Sequence, residues 1–316
     1  MGPGTRPGTK GGTLLTAKRT APETGEFGGF RGRLETVSCP VCESPPEPDL
    51  VFKTSQGIGF WRCPDCRVMY ASPRFTQESL LDIYEHESFV DDALYKDWSY
   101  ERWKRENRNR SYVTQVLKLQ FMARFLKQGD RILDVGCGTG LLSVEAPRHG
   151  FNVEGIEPST RLVEIGRSVL NVPIRQGLVE EFDPGHTYRG MVVWDVLEHV
   201  PYPLAMLRKC KSLMDADGHL FVQVPNYGGL SNRFKTFMCR KRLRETDFKH
   251  FGFPGHLYAF DRRSLANLLK AAGFHPIILE SWSHHLKEGR AGLFHRMITS
   301  FMKTYCLSDY ITCAAG

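Results

Sequence analysis

The sequence predicts an α/β fold: a parallel sheet flanked by helices and preceded by a small metal-bound unit. Three observations carry this. From Arg131 onward, short apolar runs alternate with helix-like segments. Strands alternating with helices require crossover connections and a sheet covered on both faces. A glycine-dense turn, with Gly136, Gly138 and Gly140, joins the first of those strands to a helix. Ahead of it, Cys39, Cys42, Cys63 and Cys66 form two tight pairs in a C-x2-C-x20-C-x2-C pattern.

Composition narrows the class. The 316 residues suffice for one large or two modest domains. Hydrophobic residues at 41% and charged residues at 24% are a soluble globular balance. No run approaches the ~18 apolar residues of a membrane helix, so a spanning protein is not expected. No charged-then-apolar start is present, and the cytoplasm is the expected compartment. Nine cysteines, four of them paired, suit a reduced compartment with one metal site. The other five (Cys137, Cys210, Cys239, Cys306 and Cys313) read as buried small hydrophobes. Much of the +7 net charge lies in residues 1–33, which carry six basic side chains against Glu23 and Glu26. The remaining body is too mildly basic to argue for nucleic acid.

The elements follow in order. Residues 1–36 hold nine glycines and no apolar periodicity, so a disordered basic tail is expected. Residues 37–72 are the cysteine-paired unit, with strands near Leu50–Phe52 and Phe60–Arg62. Residues 73–128 read as a helical linker or lid, since Val113, Leu117, Phe121 and Phe125 recur every four positions. Residues 129–316 form the α/β domain. Its expected strands are Arg131–Val135, Asn152–Ile156, Met191–Trp194 and His219–Val224, with His275–Ser281 and Tyr310–Cys313 last. Its expected helices are Leu141–His149, Ser159–Leu170 and Pro203–Met214. Residues 227–260 read as an insertion on the acceptor side. A final helix starts at Asp261 as N-cap and stops at Gly273.

The spacing of Cys39, Cys42, Cys63 and Cys66 places four thiolates on one tetrahedral cation, as in a zinc ribbon. Such a shell leaves no open coordination position, so this zinc is structural. The glycine turn does not match a dinucleotide fingerprint, because Leu141 stands where G-x-G-x-x-G needs its third glycine. Asp134 sets a carboxylate beside the turn, which suits an ammonium-bearing ligand better than a pyrophosphate. Glu157 ends the second strand, where an acid accepts the two hydroxyls of a ribose.

These residues resemble the class I S-adenosylmethionine-dependent methyltransferases, over about Gly129–Phe274. Leu133–Gly140 looks like the family's first motif, with Gly136, Cys137, Gly138 and Gly140 at the cofactor. Val153–Glu157 looks like its second, Trp194–Val200 like the segment after the fourth strand, and Gly218–Pro225 like the fifth strand. The ribbon, Gly255–Asp261 and Ala272–Phe274 add a likeness to bacterial small-molecule methyltransferases of sugar and natural-product pathways. The resemblance implies a Rossmann-like seven-stranded sheet and methyl transfer from S-adenosylmethionine. Leu178 and Val179 stand where members often carry an acid for the adenine amino group, which implies apolar and backbone contacts there. Arg189 replaces the acid that often begins the fourth strand.

His199 follows the fourth strand at the ligand-bearing sheet edge and is a candidate general base. His256 and Tyr258 precede the last helix, in a stretch that lines the acceptor pocket of the resembling family. Trp194 is expected as a wall beside the cofactor. Arg233–Lys249 carries seven basic residues against Glu245 and Asp247, read as a lid clamping an anionic small-molecule acceptor. Alignment of acceptor, methyl and sulfur does most of such a reaction, and no catalytic metal is implied. An RNA methyltransferase and a non-catalytic cofactor-binding scaffold are the alternatives. The fourth-strand segment has neither the base-amino pattern nor the cysteine pattern of RNA enzymes.

Overall fold

The computed structural model describes residues 23–27, 29–42, 48–54, 57–85, 110–241, 252, 254–282 and 300–316. The chain enters as six short strands: β1 (Glu23–Phe27), β2 (Phe30–Glu35), β3 (Asp49–Lys53), β4 (Gly59–Arg62), β5 (Met69–Ser72) and β6 (Arg74–Phe75). Helix α1 (Gln77–Glu85) follows. β1 and β2 form an antiparallel hairpin, which overturns the expected disorder for residues 23–35; residues 1–22 lie outside the described residues. The reason is non-local. Leu34 pairs with Phe75 and is buried there. Gly32 lets α1 close on the hairpin, because a Cβ at that position would stand 2.8 Å from Ser79 Cβ.

The expected helical linker contains α1 and α2 (Arg110–Met122); residues 86–109 lie outside the described residues. The α/β domain then runs β7 (Arg131–Val135), α3 (Leu141–Glu145), β8 (Asn152–Glu157), α4 (Thr160–Ser168), β9 (Ile174–Gln176) and β10 (Tyr188–Trp194). It continues through α5 (Pro203–Ser212), β11 (Met214–Pro225), α6 (Leu230–Arg240), β12 (Tyr258–Ala259), α7 (Arg262–Ala271), β13 (Pro276–Trp282) and β14 (Tyr310–Ala315). Caps set several ends as the sequence implies. Ser159 accepts from Leu162 N, Asp261 and Ser264 form a reciprocal capping box, and Gly273 takes a φ of 87°. β9, absent from the sequence reading, has three residues, of which Ile174 alone is buried.

Seven strands make one sheet in the order β13-β14-β11-β10-β7-β8-β9. All neighbours from β11 to β9 are parallel, and β14 runs antiparallel between β11 and β13. Strand order reverses between β7 and β10, which opens a crevice at their carboxyl ends. Alternation divides the core. Leu133, Met191, Val193 and Val222 join the layer under α5 and α7, whereas Ile132, Val192, Trp194 and Phe221 pack under α2.

The cysteine-paired unit is not an appended module. β3 and β4 form the expected hairpin, β5 adds a third strand, and β12 from the far end of the chain adds a fourth. Tyr258 sits opposite Tyr70, and Asn267 Nδ2 donates to Cys66 O at 3.1 Å. One continuous buried cluster runs from Val37 through Phe60 and Phe75 to Phe260 and Leu268. Arg74 is fully buried within it, paired with Glu35 at 3.0 Å.

Candidate active site and metal centre

A cleft of about 240 Å³ opens at the sheet edge where strand order reverses. Its floor is the β7–α3 turn. Gly136 and Gly138 adopt φ of 67° and 58°, and both line the cleft. A Cβ at Gly136 would stand 2.6 Å from Val196 Cγ2, so that glycine permits close packing. A Cβ at Gly138 would meet nothing within 4 Å; it would project into the space a ligand needs. Gly140 and Cys137 do not line the cleft. A Cβ at Gly140 would strike Val172 and Ile174, and Cys137 is turned under the loop against Gly155. Both positions pack beneath the turn and support it from below.

Glu157 is 7% exposed and both its oxygens are engaged. Oε2 accepts from Gly138 N at 2.9 Å and Oε1 from Ser159 N at 3.1 Å. Burial raises its pKa, and these two bonds oppose the rise. A carboxylate offers about four acceptor positions, so two remain. Asp134 is buried below the turn, on the α2 side of β7. Burial pushes its carboxyl up to about 7, the Lys118 ammonium opposes this, and Glu157 adds to it. Asp134 does not line the cleft: it shares the α2 layer with Val192, its partner on β10, and lies beneath the turn. Leu178 and Val179 also line the cleft. Glu180 lines it too, one position beyond them, and was missed because the expected acid was sought nearer to Gly177.

Asp195 is a second residue the sequence reading passed over. It directly follows β10 at a φ of 58°, and its carboxylate accepts from Gln223 Nε2 at 2.8 Å. Its position at the carboxyl end of a strand beside the reversal was the available signal. Trp194 is corrected: it does not line the cleft. Strand alternation turns it into the α2 layer, where its indole donates to Phe221 O at 3.0 Å and Lys118 lies 4.7 Å from its ring. The cleft's outer wall comes from α1 instead, through Leu80 and Tyr84.

His199 lines the cleft. Its Nδ1 lies 3.0 Å from Gly255 O; a carbonyl only accepts, so Nδ1 carries the proton and Nε2 is left as an acceptor. Burial lowers its pKa to about 4, so the ring is neutral at physiological pH. His256 packs behind it, ring centroids 4.7 Å apart, and burial takes its pKa to about 3. Tyr258, predicted near the acceptor, is instead fully buried between ribbon and sheet. Its hydroxyl accepts from Arg74 at 3.0 Å and donates to Pro201 O at 2.8 Å, because β12 is committed to the ribbon sheet.

Two groups of donors are spaced to share a cation. The sulfurs of Cys39, Cys42, Cys63 and Cys66 approach at 3.3–3.6 Å. A Zn–S length of about 2.3 Å implies S–S edges of roughly 3.8 Å, and a disulfide needs about 2.05 Å, so the cage has the size for zinc. Glu198, His199 and His256 form the other group. Glu198 Oε2 and His256 Nδ1 are buried without hydrogen-bond partners among the described residues. Cys210, Cys306 and Cys313 are buried and Cys137 partly so, while the Cys239 side chain lies outside the description. Among the described basic side chains of the expected acceptor lid, Arg233 and Lys241 face the ribbon rather than the cleft, and Lys235 lines neither.

A family model described as a methyltransferase domain matches residues 104–278. The ubiquinone biosynthesis O-methyltransferase of Xanthomonas campestris pv. campestris (strain B100) is 39% identical over 190 residues, 56% of this chain and 78% of that protein. The protein of the same name from Actinobacillus pleuropneumoniae serotype 7 (strain AP76) is 36% identical over 109 residues, 31% of this chain. The match spans about half, 47%, of that relative's length. Among solved structures, magnesium protoporphyrin IX methyltransferase from Synechocystis PCC 6803 with bound S-adenosylhomocysteine superposes with a TM-score of 0.51. It is 17% identical, covering 76% of this chain and 99% of that one, a likeness that shows the fold alone. Among the described residues no helix is long and apolar enough to cross a membrane. With the glycine turn, Glu157 and the reversed strand order all inside the matched stretch, which is more than half of the chain, this protein belongs to the S-adenosylmethionine-dependent methyltransferase family.

Proposed function

We propose that the chain transfers the methyl group of S-adenosylmethionine to an oxygen of a small-molecule acceptor in the cleft beside His199. The observation that carries this reading is the His199 imidazole: neutral, lining the cleft, with Nδ1 engaged and Nε2 left to accept a proton. The names of the relatives, which are O-methyltransferases, support an oxygen acceptor. When bound, the cofactor supplies a methyl group already activated on a sulfonium. The chain's residues then bind, orient and exclude water. Glu157 offers its two remaining acceptor positions to the ribose, and Gly138 leaves room for the nucleoside. Leu178 and Val179 pack on the adenine, with Glu180 placed to accept from its amino group. Asp134, beneath the turn, supplies a negative charge under the amino-acid end. Leu80 and Met206 narrow the cleft and keep water from the reacting line. His199 Nε2 takes the acceptor's hydroxyl proton as the oxygen attacks. Cys39, Cys42, Cys63 and Cys66 hold a structural zinc that braces the ribbon against α7.

The test is His199→Gln, assayed with a panel of hydroxylated small molecules. The expected result is a fall in kcat of roughly 10²- to 10⁴-fold with unchanged cofactor affinity. A variant with parental kcat overturns the assignment. A second reading of the same atoms is favoured by the partnerless Glu198 Oε2 and His256 Nδ1: a divalent cation held there would polarise the acceptor hydroxyl. Full activity after exhaustive chelation would exclude it.

A further inference from the structure

A second cavity, about 510 Å³, is larger than the cleft of about 240 Å³. It lies between the ribbon and α6, and it shares no lining residue with the methyl-transfer cleft. Four cationic side chains surround it. Arg62 comes from β4, Arg67 from the second cysteine knuckle, and Arg233 and Lys241 from α6 and the residue just after it. Among the described residues, none of these four side chains makes a hydrogen bond or an ion pair. The one carboxylate on the wall, Asp261, is already committed as the N-cap of α7, accepting from Ser264 N at 2.8 Å. Four cations face a single carboxylate around this cavity, and an anion that fills it offsets the excess positive charge. Arg67 holds a left-handed backbone, φ 64°, where glycine is the ordinary residue. The knuckle thus presents a long cationic side chain at a position that favours none. Tyr227 and Phe237 add aromatic surface to the same wall, and the volume is that of a small-molecule site.

We propose that this cavity is an anion-binding site for a phosphorylated small molecule, separate from the methyl-transfer cleft. Guanidinium groups on two facing walls, the ribbon and α6, grip phosphate oxygens bidentately, and Lys241 adds a point charge. The cavity and the cleft share a structural partition. Ala259 of β12 lines the cavity, while the hydroxyl of the preceding Tyr258 is bonded to Pro201 O, and Pro201 lines the cleft. Occupancy of the cavity therefore bears directly on the strand that forms the cleft's neighbouring wall. The proposal stands on the charge arrangement alone and does not depend on the methyl-transfer reading.

The experiment is calorimetry on the full chain with inorganic pyrophosphate, and in a parallel arm with a nucleoside diphosphate. The expected result is saturable binding near one per chain, weakened by added salt. Arg233→Glu, in the first turn of α6, and Lys241→Glu, just past its last, both at exposed positions, should each weaken it roughly tenfold or more. Binding of S-adenosylhomocysteine should change by less than about twofold in the same variants, which separates this site from the cleft. Tighter binding of the nucleoside diphosphate than of pyrophosphate assigns Tyr227 and Phe237 to a ring; equal binding assigns the site to phosphate alone. No saturable binding of either probe, or binding indifferent to both charge reversals, overturns the proposal.

Discussion

Replacing Glu157 with Ala tests the cofactor site most directly, because the structure allows the cost to be worked. The carboxylate already accepts from Gly138 N and Ser159 N, which leaves two acceptor positions for ribose hydroxyls. Hydrogen bonds to a charged group contribute about 1.5–3 kcal/mol each. Burial already opposes this charge, so the low end applies, and the loss is roughly 3 kcal/mol of cofactor binding, about two orders of magnitude in Kd. The same change orphans the two backbone N–H groups, which removes about 1–3 kcal/mol of stability per group before relief of the buried charge is credited. Two readouts follow: calorimetry with S-adenosylhomocysteine, and a thermal melt without it. Glu157→Gln serves as a control, keeping shape and one acceptor oxygen. A near-parental Kd in the alanine variant, with a lowered melting temperature, would show that Glu157 only braces the turn and would refute the ribose assignment.

The remaining predictions concern protons and metal. Asp134, pushed up to about 7 in the free protein beneath the turn, is expected to ionise when a cationic ligand binds above that turn. The ligand-free form binds the extra proton below that pH, so cofactor affinity should fall as pH drops from about 7 toward the ordinary carboxylate range. Calorimetry in buffers of different ionisation enthalpy should detect the released proton, and Asp134→Asn should flatten the profile; an already flat parental profile would remove the assignment. Freshly purified protein should hold about one zinc per chain, and Cys63→Ser should release it. Because β12 and α7 are bonded to the ribbon, the loss should also lower the melting temperature of the whole chain. A parental melt in a zinc-free variant would contradict that coupling.

Much of the site was legible in sequence because its determinants are local. The four cysteines announce their cage by spacing, and the turn from Val135 to Leu141 announces its shape by glycines that take positive φ. Glu157 and His199 follow from position, since each ends or follows a strand whose existence the apolar pattern reveals. Tertiary structure decided what depends on parity and on distant partners. Trp194 faces away from the cleft because one residue along a strand changes layers, and nothing in its own segment says which layer holds the ligand. Tyr258 lies in the stretch read as acceptor-lining, yet β12 pairs with β5, far back in the chain, and the hydroxyl is spent on Arg74 and Pro201. Residues 23–35 look unable to bury a core alone, and they do not: they borrow Phe75 and α1. The basic stretch after β11 shows its charge in sequence, but only the packing of α6 beside the ribbon directs Arg233 and Lys241 toward Arg62 and Arg67. Composition and spacing act through neighbouring backbone, whereas the facing of a strand and the partner of an edge are properties of the assembled sheet.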